Sequence, residues 1–424
     1  ALYCPKKKLD RTLNNSKEVT MFQNSLNIHE VTEIRLKTLV YFGCGAIRKI
    51  EDISAALEKR GIGRILVVTG RGAYKKTGAW DHVVPALSAH KIQYVLYDKV
   101  TPNPTTAQID EAVALAKTIQ AQAVLCIGGG SAIDAGKSAA ILLSNPQYTA
   151  ADLYNYKFTP ETAVPIIAIN LTHGTGTEAD RVAVATILEN EYKPAIAYDC
   201  IYPTWSIDDP ELMTGLAEKQ TRFVSIDAVN HCVEAVTSII ASPYSISLGR
   251  EAVALVAQYL PAVLKDPKDL TARYYLLYAS MLAGVSFDNG MLHYTHALEH
   301  PLSAVKPDLT HGLGLSMLLP AVVKHIYPAR PVVLADVLSP LVPGLKGCPS
   351  EADAAAKGVE QWLVSVGAPE KLSDVGFTAA DIDKLVDLAF TTPSLGFLLS
   401  LAPNKADRDA VREIYTNSLT PLNK

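Results

Sequence analysis

Four of the ten histidines, His293, His296, His300 and His311, fall within nineteen consecutive positions. Neutral imidazoles are common ligands of divalent transition metals, and their pKa also suits proton transfer near neutral pH. A lone histidine is most often a hydrogen-bonded core or surface residue, and we interpret His293 in that way. The density of the group nevertheless makes it the first candidate for a metal site.

A carboxylate and a further histidine lie elsewhere at helical spacing. Asp227 and His231 are four residues apart in residues 223–236, a segment of helical character, so both side chains would share one face. With His296 and His311 they would provide three nitrogen ligands and one oxygen ligand for a divalent ion. Because such a set leaves a position for a substrate oxygen, we expect a catalytic metal site.

A glycine-rich turn is the second candidate site. An apolar run at residues 123–127 leads into Gly-Gly-Gly-Ser at residues 128–131, and the residues that follow, which include Asp134, predict a helix. Backbone N–H groups of such a turn can approach a phosphate closely, and the helix N-terminus favours its negative charge. The turn therefore predicts a nucleotide site, with a tight turn that binds nothing as the simpler alternative.

The same segment allows a rival interpretation. From Ser131 to Ser138, with Gly136 and Lys137, it matches the P-loop except that a serine replaces the first glycine, and it lacks the GxGxxG pattern. A P-loop-like nucleotide hydrolase is therefore an alternative from another enzyme class.

Two kinds of structure must position these candidate sites. In the first half of the chain, short β-rich runs alternate with helical stretches, which predicts a parallel sheet covered by helices. The β-rich runs are residues 64–69, 92–97 and 123–127, and the helical stretches are residues 105–118 and 131–143. The second half has long amphipathic segments and few β-branched runs, which predicts an all-α region. We expect an extension at 1–36, a nucleotide-binding α/β domain at 37–210 and a helical metal-binding domain at 211–424.

The composition argues against several other classes of protein. The formal net charge is −4 and the Lys and Arg residues do not cluster, so neither nucleic acid nor a membrane surface is a predicted partner. The six cysteines form no CxxC pair, and no apolar run is long enough to span a bilayer. We therefore expect a cytoplasmic protein.

Taken in order, these segments resemble the iron-containing (group III) alcohol dehydrogenases over roughly residues 37–420. The matching segments are Val67-Val68-Thr69, Pro102-Asn103-Pro104-Thr105, residues 128–131 with Asp134 and Lys137, THGTGTE at residues 172–178, and residues 227–231 and 296–312. The resemblance is greatest to the primary-alcohol dehydrogenases of thermophilic anaerobes, which share NLTHGTGTE at residues 170–178 and HALEHPLSAVKPDL at residues 296–309.

The resemblance implies a role for each matched residue. Asp227, His231, His296 and His311 correspond to the metal ligands, and His300 corresponds to a histidine beside the nicotinamide. The pyrophosphate would lie on Gly129, Gly130 and Ser131. The rest of the cofactor site would include Gly70, Asn103, Asp134, Thr172, Thr175 and Lys193.

The resemblance also implies a fold and an activity. The fold is an α/β domain with a Rossmann-like parallel sheet followed by an all-α domain, the architecture of dehydroquinate synthase. The activity is hydride transfer between a primary alcohol or aldehyde and NAD(P), with Fe²⁺ as the first metal, Zn²⁺ as the alternative, and a homo-oligomer of two or more subunits. A dehydroquinate synthase-type lyase is a further alternative, but its metal-ligand pattern begins from a glutamate, whereas Asp227 stands here.

Three departures from the family pattern are visible. His173 replaces a small residue near the proposed site, and Asp180 stands where the family usually has a threonine near the cofactor. The interval from His296 to His311 is one residue longer than usual, which affects the expected shape of that loop.

The end of the run at residues 64–69 bears on the choice of cofactor. NAD-specific sites usually place an acid there to bind the ribose hydroxyls, and that acid repels a 2′-phosphate. This chain has Thr69-Gly70-Arg71 followed closely by Lys75 and Lys76. NADP(H) is therefore favoured over NAD(H), with a solvated basic loop as the alternative.

Residues 1–20 precede the family pattern, which begins at Met21. They contain several Lys and Asn residues and show no sustained amphipathic period. We expect a translated upstream region or an accessory tail, with an N-terminal arm at a subunit interface as the alternative.

Overall fold

The computed structural model describes Arg35 and residues 37–422. The strands in this part of the chain are β1 (Leu39–Phe42), β2 (Arg64–Gly70), β3 (Gln93–Val100), β4 (Ala123–Gly128), β5 (Ile166–Asn170), β6 (Val182–Val184), β7 (Ala195–Ala197) and β8 (Trp205–Asp208). Six of them form a parallel sheet in the order β1-β8-β5-β4-β2-β3, while β6 and β7 form a separate antiparallel pair.

Helices cover both faces of this sheet. Those of the first half are α1 (Lys49–Lys59), α2 (Ala73–Lys76), α3 (Ala79–Ala89), α4 (Thr106–Lys117), α5 (Gly130–Ser144) and α6 (Ala150–Tyr154). Leu66 and Val68 of β2 pack on one face with α4 and α5, whereas Ile65 and Val67 pack on the other face with α1 and α3. Because both faces are buried, the strand has a continuous apolar run instead of an alternating pattern.

The chain beyond the sheet is helical. Its helices are α7 (Glu218–Thr237), α8 (Pro243–Lys265), α9 (Leu270–Gly290), α10 (Tyr294–Val305), α11 (His311–Ile326), α12 (Pro331–Leu338), α13 (Ala352–Ser365), α14 (Ile382–Thr391), α15 (Leu395–Ser400) and α16 (Arg408–Asn417). They share one large apolar core. Among the described residues, none of the helices combines the length and apolarity that crossing a bilayer requires.

The sheet has one point at which the strand order reverses. The chain passes from β2 to β3 on one side and then returns through α4 to β4 on the other side of β2. Ligands of open parallel sheets bind beyond the carboxyl ends of the strands at such a point. Gly70 ends β2 and Gly128 ends β4, so both glycines lie at this position.

The fold class expected from the sequence is confirmed, with differences at the ends of elements. The helix expected at residues 105–118 begins at Thr106, because Thr105 and Gln108 form a capping box that leaves Thr105 outside. The strand expected at residues 92–97 continues to Val100, which pairs with Gly70 beyond an irregularity. Residues 1–20 lie outside the described residues, and the domain limits remain predictions.

Candidate active site

The proposed metal ligands meet where three helices converge. Asp227 and His231 lie one turn apart on α7, His296 lies on α10, and His311 begins α11. The Nε2 atoms of His231 and His296 are each 3.4 Å from Oδ1 of Asp227, and Nε2 of His311 is 3.9 Å from it. Three imidazole nitrogens therefore surround one carboxylate oxygen.

Two of these histidines are fixed through their second ring nitrogen. Nδ1 of His231 donates to the carbonyl oxygen of Gly174 at 3.2 Å, and Nδ1 of His296 donates to the carboxylate of Glu234. A carbonyl or an ionised carboxylate can only accept, so each Nδ1 carries a hydrogen. Nε2 of each ring is thereby directed to the cluster, as in many metal sites.

The cluster contains polar atoms that a cation would satisfy. Oδ1 of Asp227 and Nε2 of His296 are buried and make no hydrogen bond within the described part of the chain. Burial raises the pKa of Asp227, but His231, His296 and His311 lower it below its ordinary value. Burial lowers the pKa of His296, but Glu234 and Asp227 raise it to about 9. These surroundings favour added positive charge, and the nitrogen and oxygen donors fit Fe²⁺ or Zn²⁺.

His300 and His311 form a neighbouring group with Glu299. Nδ1 of His311 donates to Glu299 while its Nε2 faces Asp227. Nδ1 of His300 donates to the carbonyl oxygen of Lys193 at 2.7 Å, which leaves Nε2 free to accept a proton. Burial and the charge of Lys193 hold the pKa of His300 well below its ordinary value. His300 is therefore a neutral ring beside the cluster of proposed ligands.

Two residues expected to line the cofactor cleft connect the sheet to the helical region. Lys193 is buried, with Nζ 2.8 Å from Oγ of Ser303 and 3.4 Å from the carboxylate of Glu299. Asn103 donates from Nδ2 to the carbonyl oxygen of Pro307 at 2.9 Å. Both contacts hold α10 and the loop after it against the sheet, whereas contact with a cofactor remains a prediction.

The glycine turn packs closely against the loop after β5. A Cβ atom on Gly129 would lie 2.5 Å from Oγ1 of Thr172, and one on Gly130 would lie 2.6 Å from Cγ2 of Thr175. Only glycine fits at both positions. Gly130 and Ser131 begin α5, whose first N–H groups have no partner within the helix. The turn thus offers donors for a phosphate at the reversal point of the sheet.

Asp134 and Lys137 stabilise this loop from within. Asp134 accepts from Oγ1 of Thr177 at 2.7 Å and from the backbone N–H of Val184 at 3.0 Å. Nζ of Lys137 is fully buried and donates to Thr177 at 2.8 Å and to Asp180 at 2.9 Å. A P-loop lysine must reach a phosphate, whereas this ammonium has its donors engaged inside the protein. The P-loop interpretation is therefore not supported.

His173, one of the departures from the family pattern, anchors the loop behind the cleft. It is buried, with Nε2 3.0 Å from Oγ of Ser225 on α7. Burial and the charge of Arg273 lower its pKa to about 3. The adjacent Gly174 supplies the carbonyl that accepts from Nδ1 of His231, so His173 anchors the loop that orients one proposed ligand.

A cleft of about 480 Å³ adjoins the cluster. The four histidines His231, His296, His300 and His311 line it, together with Asp134 and Thr175 below the glycine turn. Most other lining side chains are apolar or aromatic and come from both halves of the chain, among them Val182, Ile196, Tyr198, Phe287, Leu292, Phe397 and Leu398. A cavity of this size and character fits a small organic ligand.

The end of β2 carries cations and no carboxylate. β2 ends at Gly70, exposed Arg71 follows, and the short helix α2 ends with exposed Lys75 and Lys76. A Cβ atom on Gly70 would lie 3.3 Å from the carbonyl oxygen of Val100, so a side chain there requires only a small adjustment.

Glu234 and Glu299 are site residues that the sequence analysis missed. Each follows a proposed ligand by three residues, Glu234 after His231 and Glu299 after His296, and that spacing is the signal that could have found them. Each nevertheless bonds to a histidine of a different helix. Glu234 also accepts the backbone N–H groups of His293 at 2.9 Å and of His296 at 3.3 Å, and so holds the start of α10.

An open parallel sheet with a glycine turn at its reversal point, joined to a helical region, is the architecture of a nucleotide-binding enzyme of two parts. The family model for iron-containing alcohol dehydrogenases matches residues 37–210, and the model for the C-terminal part of the Fe-containing alcohol dehydrogenase family matches residues 223–419. The chain belongs to the iron-containing alcohol dehydrogenase family.

Individual relatives agree with this assignment. The long-chain primary alcohol dehydrogenase AdhA of Thermoanaerobacter ethanolicus is 58% identical over 398 residues, which are 94% of this chain and 100% of that protein. The NADH-dependent butanol dehydrogenase A of Thermotoga maritima has 28% identity and a TM-score of 0.83, with 93% of this chain and 99% of that chain covered. An archaeal halo-thermophilic alcohol dehydrogenase from a Red Sea brine pool has 25% identity and a TM-score of 0.85, with 92% of this chain and 100% of that chain covered. The resemblance inferred from the motifs is confirmed, and the lyase alternative is not supported.

Proposed function

We propose that this alcohol dehydrogenase interconverts primary alcohols that carry an extended apolar chain and the corresponding aldehydes. The main support for this proposal is that the Nε2 atoms of three histidines lie around Oδ1 of Asp227, in the wall of a largely apolar cleft. Asp227, His231, His296 and His311 are the proposed ligands, with Fe²⁺ as the metal and Zn²⁺ as the alternative. The name of the relative from Thermoanaerobacter ethanolicus supports the long-chain substrate class.

The side chains of the cleft have different proposed roles. A bound divalent ion supplies Lewis-acid polarisation of the substrate oxygen. His300 presents a neutral Nε2, because its Nδ1 is held by the Lys193 carbonyl. Since its pKa is well below the ordinary value, we assign it a transient relay of the hydroxyl proton and not its retention. Apolar residues such as Phe287 and Leu398 exclude water and hold the alkyl chain. Orientation of the carbon toward the nicotinamide is then the main task of the protein.

The nicotinamide cofactor is proposed to lie across the reversal point of the sheet. Its pyrophosphate would contact Gly129, Gly130 and Ser131, where free N–H groups of α5 are available. NADP(H) is the proposed cofactor, because Gly70 lacks a carboxylate and Arg71 and Lys75 are exposed nearby.

A reducing, cytoplasmic setting and a homo-oligomer also remain proposals. Five cysteines of the described residues, Cys44, Cys126, Cys200, Cys232 and Cys348, are free thiols. Free thiols are typical of a reducing compartment.

The proposed function is tested with protein that is stripped of metal and reloaded with Fe²⁺ or Zn²⁺. Primary alcohols from ethanol to octanol are offered with NAD or NADP while the reduced-nicotinamide absorbance is followed. We expect metal-dependent reduction of NADP with a higher kcat/KM for the longer alcohols. Equal rates without metal, or no reaction with any primary alcohol, would reject the proposal.

A further inference from the structure

Glu299 is a buried carboxylate next to the proposed metal ligands, and it is not itself one of them. It lies on α10 with its side chain fully buried. One oxygen, Oε2, accepts from Nδ1 of His311 and lies 3.4 Å from Nζ of Lys193. The other oxygen, Oε1, makes no hydrogen bond within the described residues. The imidazole of His311 is the nearer of these two partners of Glu299, and the Nζ of Lys193 lies closer to Oγ of Ser303, at 2.8 Å, than to the carboxylate.

The neighbouring helix leaves space for this carboxylate. A Cβ atom on Gly314, one turn after His311 on α11, would lie 2.7 Å from Cγ and 2.9 Å from Oε1 of Glu299. Only glycine therefore allows α11 to approach Glu299 closely enough for the contact with His311. His311 and Glu299 are therefore kept in contact by the close approach of α10 and α11.

The charges around the cluster are also consistent with a divalent ion. Asp227, Glu234 and Glu299 are buried carboxylates, and Lys193 is a buried cation 3.4 Å from Glu299. When the imidazoles are neutral, as metal ligands must be, three negative charges and one positive charge give a net negative charge that one divalent cation balances. Buried charges are costly unless they are compensated in this way.

We propose that Glu299 is a positioning residue that fixes the ring of His311 for the metal and links it to Lys193 of the sheet region. The proposal rests on the proposed function, since it takes His311 as a ligand. A carboxylate on Nδ1 fixes the tautomer, orients Nε2 and increases the basicity of the ring. Glu234 accepts from Nδ1 of His296 in the same way, but it also accepts from backbone N–H groups, so Glu299 allows the cleaner test.

The test compares Glu299→Gln with Glu360→Gln. Glu360 is a matched control, because it is a buried glutamate on α13 that pairs with Lys371 at 2.5 Å and contacts none of the proposed ligands. Zn²⁺ affinity is measured by competition with a chelator, and the visible spectrum of the Co²⁺-loaded protein reports ligand geometry. We expect Glu299→Gln to weaken Zn²⁺ binding about 10- to 100-fold and to change the Co²⁺ spectrum, while Glu360→Gln changes neither.

A second variant keeps the test decisive if Glu299→Gln does not fold. Gly314→Ala keeps the Glu299 side chain, but the added Cβ should push its carboxylate away from His311, so Zn²⁺ binding should weaken in the same direction. Unchanged affinity and spectrum in whichever variant folds, or equal losses in the Glu360→Gln control, would overturn the proposal. A wild-type protein that binds no divalent metal would instead reject the proposed function itself.

Discussion

At the scale of single residues, the hydrogen bonds of each ring determine what that ring can do. His231 and His296 donate from Nδ1 to an oxygen acceptor and turn Nε2 toward Asp227. His300 also donates from Nδ1, but to the carbonyl of Lys193, and its ring lies beside the cluster with a centroid 6.4 Å from that of His296. Similar rings are thus oriented differently, which is consistent with the two proposed roles, metal binding and proton transfer.

Removing a ligand and removing His300 should have different consequences. We expect Asp227→Ala or His296→Ala to lose the metal and at least about a thousandfold in kcat/KM, since metal polarisation contributes several kcal/mol. His300→Ala should keep the metal but slow turnover about a hundredfold or more, the usual contribution of a general base. Metal analysis of the purified variants separates the two outcomes. Full metal content in Asp227→Ala would remove this residue from the ligand set.

His173 should make the protein less stable in mild acid. Its pKa is lowered to about 3 by burial and Arg273, from an ordinary value of 6.5. The unfolded chain therefore binds more protons between these values, and the contribution of the neutral ring is present above pH 6.5 and lost as the pH falls toward 3. The loss is at most about 1.4 kcal/mol per pH unit.

Urea unfolding at pH 7 and pH 5 measures this effect. His173→Gln should lower the pH dependence of the unfolding free energy relative to wild type. The exposed His82 on α3 provides the control, because His82→Gln should leave the slope unchanged. Identical slopes for wild type and His173→Gln would contradict the burial of a neutral ring.

At the scale of elements, the cofactor site depends on how two strands end. β2 and β4 are neighbours, and the strand order reverses between them. The turn after β4 is held against Thr172 and Thr175, while the turn after β2 leads to the exposed cations of α2. In the proposed function, one strand end would provide phosphate donors and the other would distinguish the two nicotinamide cofactors.

Gly70→Asp should shift the cofactor preference toward NAD. The new carboxylate would bind the ribose hydroxyls and repel the 2′-phosphate, and Gly70 has room for a side chain after a small adjustment. We expect the ratio of kcat/KM for NADP to that for NAD to fall at least about tenfold, since one lost or gained charged contact is worth more than 1.4 kcal/mol. Gly63→Asp places the same charge before the start of β2 and serves as the control. A wild-type preference for NAD would show that the basic loop does not select the cofactor.

At the scale of the whole molecule, the cleft exists only because the two halves meet. Its walls combine Ile196 of β7 with Phe397 of α15. Oγ of Ser394 accepts the backbone N–H of Ala195 at 3.0 Å, which ties the start of α15 to β7. Phe397 is 58% exposed although it lines the cleft, so part of its ring is available to a ligand.

Phe397→Ser should reduce the use of long alcohols selectively. Loss of the ring removes roughly 1 to 2 kcal/mol of apolar contact with an alkyl chain, which corresponds to about 5- to 30-fold in kcat/KM for octanol. Ethanol, which has no extended alkyl chain, should be affected little. Val364 on α13 is similarly exposed, at 52%, and lies outside the cleft, so Val364→Ser should leave kcat/KM unchanged for both alcohols. Equal losses for ethanol and octanol would exclude Phe397 from chain recognition.

Several features of this protein were determined by local sequence. A helix places residues four apart on one face, so Asp227 and His231 could be paired without a structure. A buried strand that runs into glycines predicts a phosphate turn wherever it lies in a chain, and residues 123–131 fit that pattern. The order of these motifs was sufficient to indicate the family.

Other features were decided only by the packing of distant segments. Glu234 meets His296 across 62 positions, and Lys193 meets Glu299 across 106 positions. The same packing buries Lys137 and removes the P-loop interpretation. Spacing along a helix is fixed by its geometry, whereas the partner across an interface depends on how the helices and the sheet pack. For that reason the sequence indicated the candidate ligands, and only the tertiary structure showed which residues form hydrogen bonds with them.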